Sequence, residues 1–124
     1  AQSGTGSTNV QSGSVTTTGA RSVGIVAAGN GVVVASTGNV TTGGANAIGI
    51  YAGGRGTISV TSAHVATAGT SARGIVVADA AGNVSVTSGT VATTGRVATG
   101  IDAFSANGNV SITSTSATTT GDFA

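Results

Sequence analysis

The chain has 124 residues, enough for one domain, and Gly, Thr, Ala, Val and Ser fill 97 of those positions. Leu, Met, Pro, Cys, Trp, Lys and Glu are absent, which excludes a helical domain built on Leu, Lys and Glu, a disulfide scaffold and a cysteine zinc site. Charged residues make up 6% and the net charge is +1, so the four isolated arginines give no stripe for nucleic acid, and no apolar run of about 20 residues offers membrane insertion.

The same alphabet would suit a flexible linker. However, 39% of the residues are apolar, whereas a disordered chain combines low hydrophobicity with high net charge. The valines and isoleucines must be buried somewhere.

Read from the N-terminus, Thr8-x-Val10-x-Ser12 is a short alternating segment. Val15-x-Thr17-x-Gly19 follows, then Gly24-Ile25-x-Ala27, then the turn pair Asn30-Gly31. The set recurs as Val32-x-Val34-x-Ser36, Val40-x-Thr42-x-Gly44 and Gly49-Ile50-x-Ala52. It recurs again as Ile58-x-Val60-x-Ser62, Val65-x-Thr67-x-Gly69 and Gly74-Ile75-x-Val77. The third recurrence reads Val84-x-Val86-x-Ser88, Val91-x-Thr93-x-Gly95 and Gly100-Ile101-x-Ala103. The fourth begins at Val110-x-Ile112-x-Ser114 and ends at Ala117-x-Thr119-x-Gly121. Successive Gly-Ile pairs are 25, 25 and 26 residues apart.

Inside each segment the period is two, which is the period of a strand. The Asn-Gly and Gly-Asn pairs at Asn30-Gly31, Gly82-Asn83 and Gly108-Asn109 suit positive φ, and alone they would suit hairpins. The 25-residue identity argues otherwise. A coil that returns each residue above its counterpart keeps Val34, Val60, Val86 and Ile112 in line, and hairpins do not.

The expected fold is all-β: a parallel β-helix, or β-solenoid. It has three short strands per coil of about 25–26 residues, and roughly four and a half coils. A single solenoid domain covers 1–124, with repeats at about 15–39, 40–64, 65–90 and 91–116 and partial coils at both ends. The chain starts without Met and without a signal-peptide core, so we expect a processed product or a piece of a longer chain.

The inward columns are expected to be Val32/Ile58/Val84/Val110, Val34/Val60/Val86/Ile112, Val15/Val40/Val65/Val91, Ile25/Ile50/Ile75/Ile101 and Ala27/Ala52/Val77/Ala103. β-Branched side chains have few rotamers to lose on stacking. The Thr17 and Ser36 columns fall on inward or corner parity, where hydroxyls can bond to neighbours above and below.

Outward positions carry any function. Ser59, Thr61, Ser85, Thr87, Ser111 and Thr113 form one candidate contact strip, interrupted in the first coil by Val33 and Ala35. Outward Thr arrays can order water, so a ligand- or ice-binding face is one reading. A soluble strand surface is the plainer one. Tyr51 and Phe104 are outward by parity and are candidate aromatic contacts. Phe123 is placed to cover the last coil.

Residues for chemistry are sparse. His64 is the one His, in a joint between strands, and Asp79, Asp102 and Asp122 have no motif partner. No catalytic residue, cofactor or metal is expected, and the chain reads as a non-enzyme. Asn39, Asn83 and Asn109 begin Asn-Val-Thr/Ser sequons, which the repeat itself accounts for as turn residues before strands.

The string Gly82-Asn83-Val84-Ser85-Val86-Thr87-Ser88-Gly89-Thr90-Val91-Ala92-Thr93-Thr94-Gly95, followed by Gly100-Ile101, resembles the passenger repeats of bacterial autotransporter proteins. The resemblance covers about residues 8–121. It implies a right-handed parallel β-helix, export through the outer membrane, and an adhesin, self-association factor or stalk at the bacterial cell surface or outside the cell.

No amphipathic capping helix is legible at either end, so we expect the end coils to meet further coils or another copy, end to end. The expected function is a structural or adhesive module able to form a fibre. Its expected partners are itself and a host-surface or glycan receptor.

Overall fold

The computed structural model describes residues 1–123, with the side chains of Asp79 and Ala80 excepted. Ten strands follow in order: β1 (Ser7–Ser12), β2 (Val15–Thr17), β3 (Val23–Gly29), β4 (Gly31–Gly43) and β5 (Ile48–Gly54) come first. They are followed by β6 (Ile58–Ala68), β7 (Arg73–Ala80), β8 (Val84–Thr94), β9 (Thr99–Ser105) and β10 (Val110–Thr120). No helix occurs among the described residues.

Alternate chain segments stack into two parallel sheets. The larger has the order β1-β4-β6-β8-β10, with β2 also beside β4, and the smaller has the order β3-β5-β7-β9. Every pairing is parallel, and each joins a segment to its counterpart one coil away. The result is a β-solenoid of about four turns.

The expected columns are all in register. Val32 pairs with Ile58, Ile58 with Val84 and Val84 with Val110, while Ile25, Ile50, Ile75 and Ile101 stack in the smaller sheet. Ile50, Ile58, Ile75, Val60, Val65 and Val86 are among the fully buried side chains. Each such burial contributes about 1.5–3 kcal/mol. At the C-terminal coil the inward Val110 and Ile112 are 43% and 47% exposed, because no coil covers them here.

The three segments per coil are present, but two of them run on as one hydrogen-bonded ladder. In β6 the buried residues are Ile58, Val60 and Ser62, and then Val65 and Thr67. The step of three marks the corner, where Ala63 and His64 let the ladder bend without breaking. In β4 the same corner holds one more residue, and the register shifts between Ser36 and Asn39.

Glycine sets how closely the two walls approach. A Cβ on Gly49 would sit 2.5 Å from Val65 Cγ1 and 2.6 Å from the Gly74 carbonyl oxygen. The glycines of the first three Gly-Ile pairs, Gly24, Gly49 and Gly74, therefore let the small sheet press onto the Val-x-Thr segment.

A second joint is a stack of turns. Ser22, Ala47 and Ala72 N–H groups donate to Gly19, Gly44 and Gly69 carbonyls at 3.2–3.3 Å. The third residue of each turn has positive φ: Arg21, Asn46, Ser71, Val97 and Phe123, all at 58–59°. The Asn-Gly and Gly-Asn pairs, which suited positive φ on sequence, do not adopt it. The turns also bond to one another: the N–H groups of Arg21, Asn46, Ser71 and Val97 donate to Ala45, Thr70, Arg96 and Asp122 carbonyls at 2.8–3.0 Å. That ladder holds a conformation which Arg, Ser and Val adopt at a cost.

Candidate functional site

The outer surface of the long strands is made of the residues that alternate with the core. Val33, Ser59, Ser85 and Ser111 form one column, and Ala35, Thr61, Thr87 and Thr113 the next. All six strip residues named from sequence thus lie together. Thr61, Ser85, Thr87, Ser111 and Thr113 are exposed and Ser59 is half-buried. Neighbouring strands are about 4.8 Å apart, so the hydroxyls form an uncharged grid of hydrogen-bond donors and acceptors. Towards the N-terminus the grid passes over Val33 and Ala35 to Asn9 and Gln11.

Beyond the corner, Asn39, His64 and Thr90 stack one above the other. Together with Thr41, Ala66 and Ala92 they line a shallow hollow of about 410 Å3. His64 belongs to the larger sheet, and the exposed Asp102 lies on β9 in the smaller one. The side chain of Asp79 lies outside the described residues. Among the described residues no three His, Asp or Glu gather as metal ligands.

The smaller sheet carries the aromatic positions. Val26, Tyr51, Val76 and Asp102 form one outer column. Val76 is only 5% exposed despite its outward parity. Tyr51 is half-buried, whereas Phe104 is 60% exposed on the same outer face, with β7 between their strands.

Phe123 does not cover the last coil. It occupies the positive-φ position of the final turn, is 77% exposed, and has the Arg96 guanidinium 5.4 Å from its ring centroid.

One feature was not legible from the repeat. Residues near the N-terminus return beside β3, with Gln2 bridging to Ala28 and the Ser3 N–H donating to the Ala28 carbonyl at 2.8 Å. This return helps form an open cleft of about 690 Å3, lined by Tyr51, Arg55, Asn30 and Gln2 among others. The available signal was Gly54-Arg55-Gly56, which puts a long cation where the preceding coil has Gly29-Asn30-Gly31.

No helix among the described residues is long and apolar enough to cross a membrane. Comparison with family models, with curated proteins and with solved structures gives no match.

Proposed function

We propose that the chain is a structural and adhesive module of a bacterial surface or secreted protein, in the manner of an autotransporter passenger, and that its coils join end to end into a fibre. The observation that carries this reading is the coil-on-coil stacking: each strand pairs in parallel with its equivalent one coil away, and the inward columns bury against one another, with Val84 and Val86 at 1% exposure. A coil of a second copy offers the same columns and the same strand edges, so coils can join end to end. The reading is non-enzymatic: His64 and Asp102 are on different sheets, and the outer strips are small neutral side chains. Sedimentation velocity of the chain over a wide concentration range tests end-to-end joining. Rods that lengthen with concentration are expected, and a monomer throughout would overturn that part.

The aligned Ser-x-Thr columns favour a second reading, in which the grid of Ser59, Thr61, Ser85, Thr87, Ser111 and Thr113 binds ice or a polar ligand. Ice shaping by the native chain, lost in the Thr87→Tyr/Thr113→Tyr double variant, is its expected outcome. Absence of shaping by the native chain would dispose of the ice reading.

A further inference from the structure

The cleft beside Tyr51 has the size of a small-molecule site, within the usual range of roughly 300–1,000 Å3, at about 690 Å3. Much of its lining is glycine backbone, from Gly4, Gly29, Gly53 and Gly54. A ligand can therefore approach the main chain closely.

Tyr51 is placed by that same economy of side chains. An ideal Cβ on Gly53 would lie 3.0 Å from Tyr51 Oη and 3.1 Å from its Cε1. The ring therefore lies along the strand over Gly53, close to the place where a Cβ at that position would sit. It is a positioned plate, half-buried, at the edge of the cleft.

Three exposed hydrogen-bonding side chains share the cleft: Gln2, Asn30 and Arg55. Asn30 Nδ2 donates to the Thr5 carbonyl at 2.8 Å. That bond fixes the amide and leaves Oδ1 as its acceptor. Arg55 brings a planar fork of donors.

A pyranose ring matches this set. It offers a face of C–H groups to pack on an aromatic plate, and adjacent hydroxyls that both donate and accept. A phosphate ligand would call for more positive charge than Arg55 supplies. We infer that the cleft is a saccharide-binding site: Tyr51 stacks one sugar ring, and Arg55, Asn30 and Gln2 hold its hydroxyls. The inference rests on the adhesive part of the proposed function, to which it gives a ligand class, and is independent of end-to-end joining.

Tyr51 is the single Tyr and there is no Trp, so intrinsic tyrosine emission reports on this cleft alone. The test titrates the whole chain with defined trisaccharides of glucose, galactose, mannose and N-acetylglucosamine. A saturable emission change is expected with at least one of them, with a Kd of about 1 mM or tighter. Saturation-transfer NMR should then mark the sugar C–H protons. By NMR, Tyr51→Ala should weaken binding roughly tenfold or more, while Tyr51→Phe keeps it within about threefold. Arg55→Gln, an exposed change that leaves the coil intact, should also weaken it and carries the test if Tyr51→Ala does not fold. No saturable change with any of the four sugars would overturn the assignment, as would binding undiminished in Arg55→Gln and in a folded Tyr51→Ala. Loss of self-association in Tyr51→Ala with sugar binding intact would make the cleft a contact between copies, and would overturn it as well.

Discussion

Thr42, Thr67 and Thr93 are buried on the inner face, and their hydroxyls have no hydrogen-bond partner. Their methyl groups supply the packing. Thr67 Cγ2 lies 3.4 Å from the place a Cβ on Gly49 would take, and Thr42 Cγ2 lies 3.5 Å from that of Gly24. These threonines act as valines that carry a desolvated oxygen. Thr67→Val is expected to raise the unfolding free energy by about 1 kcal/mol. The measurement is a higher denaturant midpoint at unchanged slope. The inward side of this column was legible from Val-x-Thr-x-Gly, but the hydroxyl's isolation was not. Sequence suggested bonds between neighbouring coils; Ser88 Oγ does donate to Ser114 Oγ at 3.0 Å, whereas Ser12 and Ser62 in the same column are also without a partner. In the Thr column the side chain instead turns its methyl group to the opposite wall, which a period-two pattern does not locate.

At the scale of the strand and turn, Gly24, Gly49 and Gly74 of the Gly-Ile pairs stand where a side chain has no room. Gly49→Ala would drive a methyl group into Val65 and into the Gly74 backbone, and the second contact has no rotamer to relieve it. The expected cost is about 3 kcal/mol, at the upper end for overpacking, read as a lower unfolding midpoint. Sequence marked these glycines as a repeat landmark. Their reason, the distance between two walls, is non-local. The turn stack was hidden for a different reason: Arg21, Ser71, Val97 and Phe123 are not residues that advertise positive φ. Val97 is the most strained by type, being β-branched at φ 58° and half exposed. Val97→Asn, matching Asn46 two coils away, is expected to add about 1 kcal/mol of stability, seen as a higher Tm.

For the whole molecule, position along the axis decides what a core substitution does. Val86 and Ile112 share one column, yet Val86 is 1% exposed and Ile112 47%. Val86→Asp would bury an unpaired charge and is expected to cost several kcal/mol, enough to unfold the rod by circular dichroism. Ile112→Lys should leave the fold largely intact and suppress concentration-dependent growth in sedimentation, because it charges the surface proposed to join. Growth undiminished in Ile112→Lys would place the contact elsewhere. The column that unites these residues was readable from spacing alone. Tyr51 and the six Ser/Thr positions could also be assigned outward by parity. The cleft was not readable, because it depends on residues 2–4 folding back beside β3, outside the periodic segments.

The uniform register of β6, β8 and β10 has a consequence for how such a gene can change. Each residue in these strands lies 26 positions from its partner in the next coil. An in-frame duplication of one such repeat would insert a rung of roughly 4.8 Å and leave every column aligned. Coils of slightly different length are absorbed at the corners: partners lie 24 residues apart between β1 and β4, and 26 and then 25 apart on either side of the corner between β4 and β6, while the columns stay aligned. Recombination between repeats therefore alters the reach of the rod in fixed steps, so that its length is counted out in rungs.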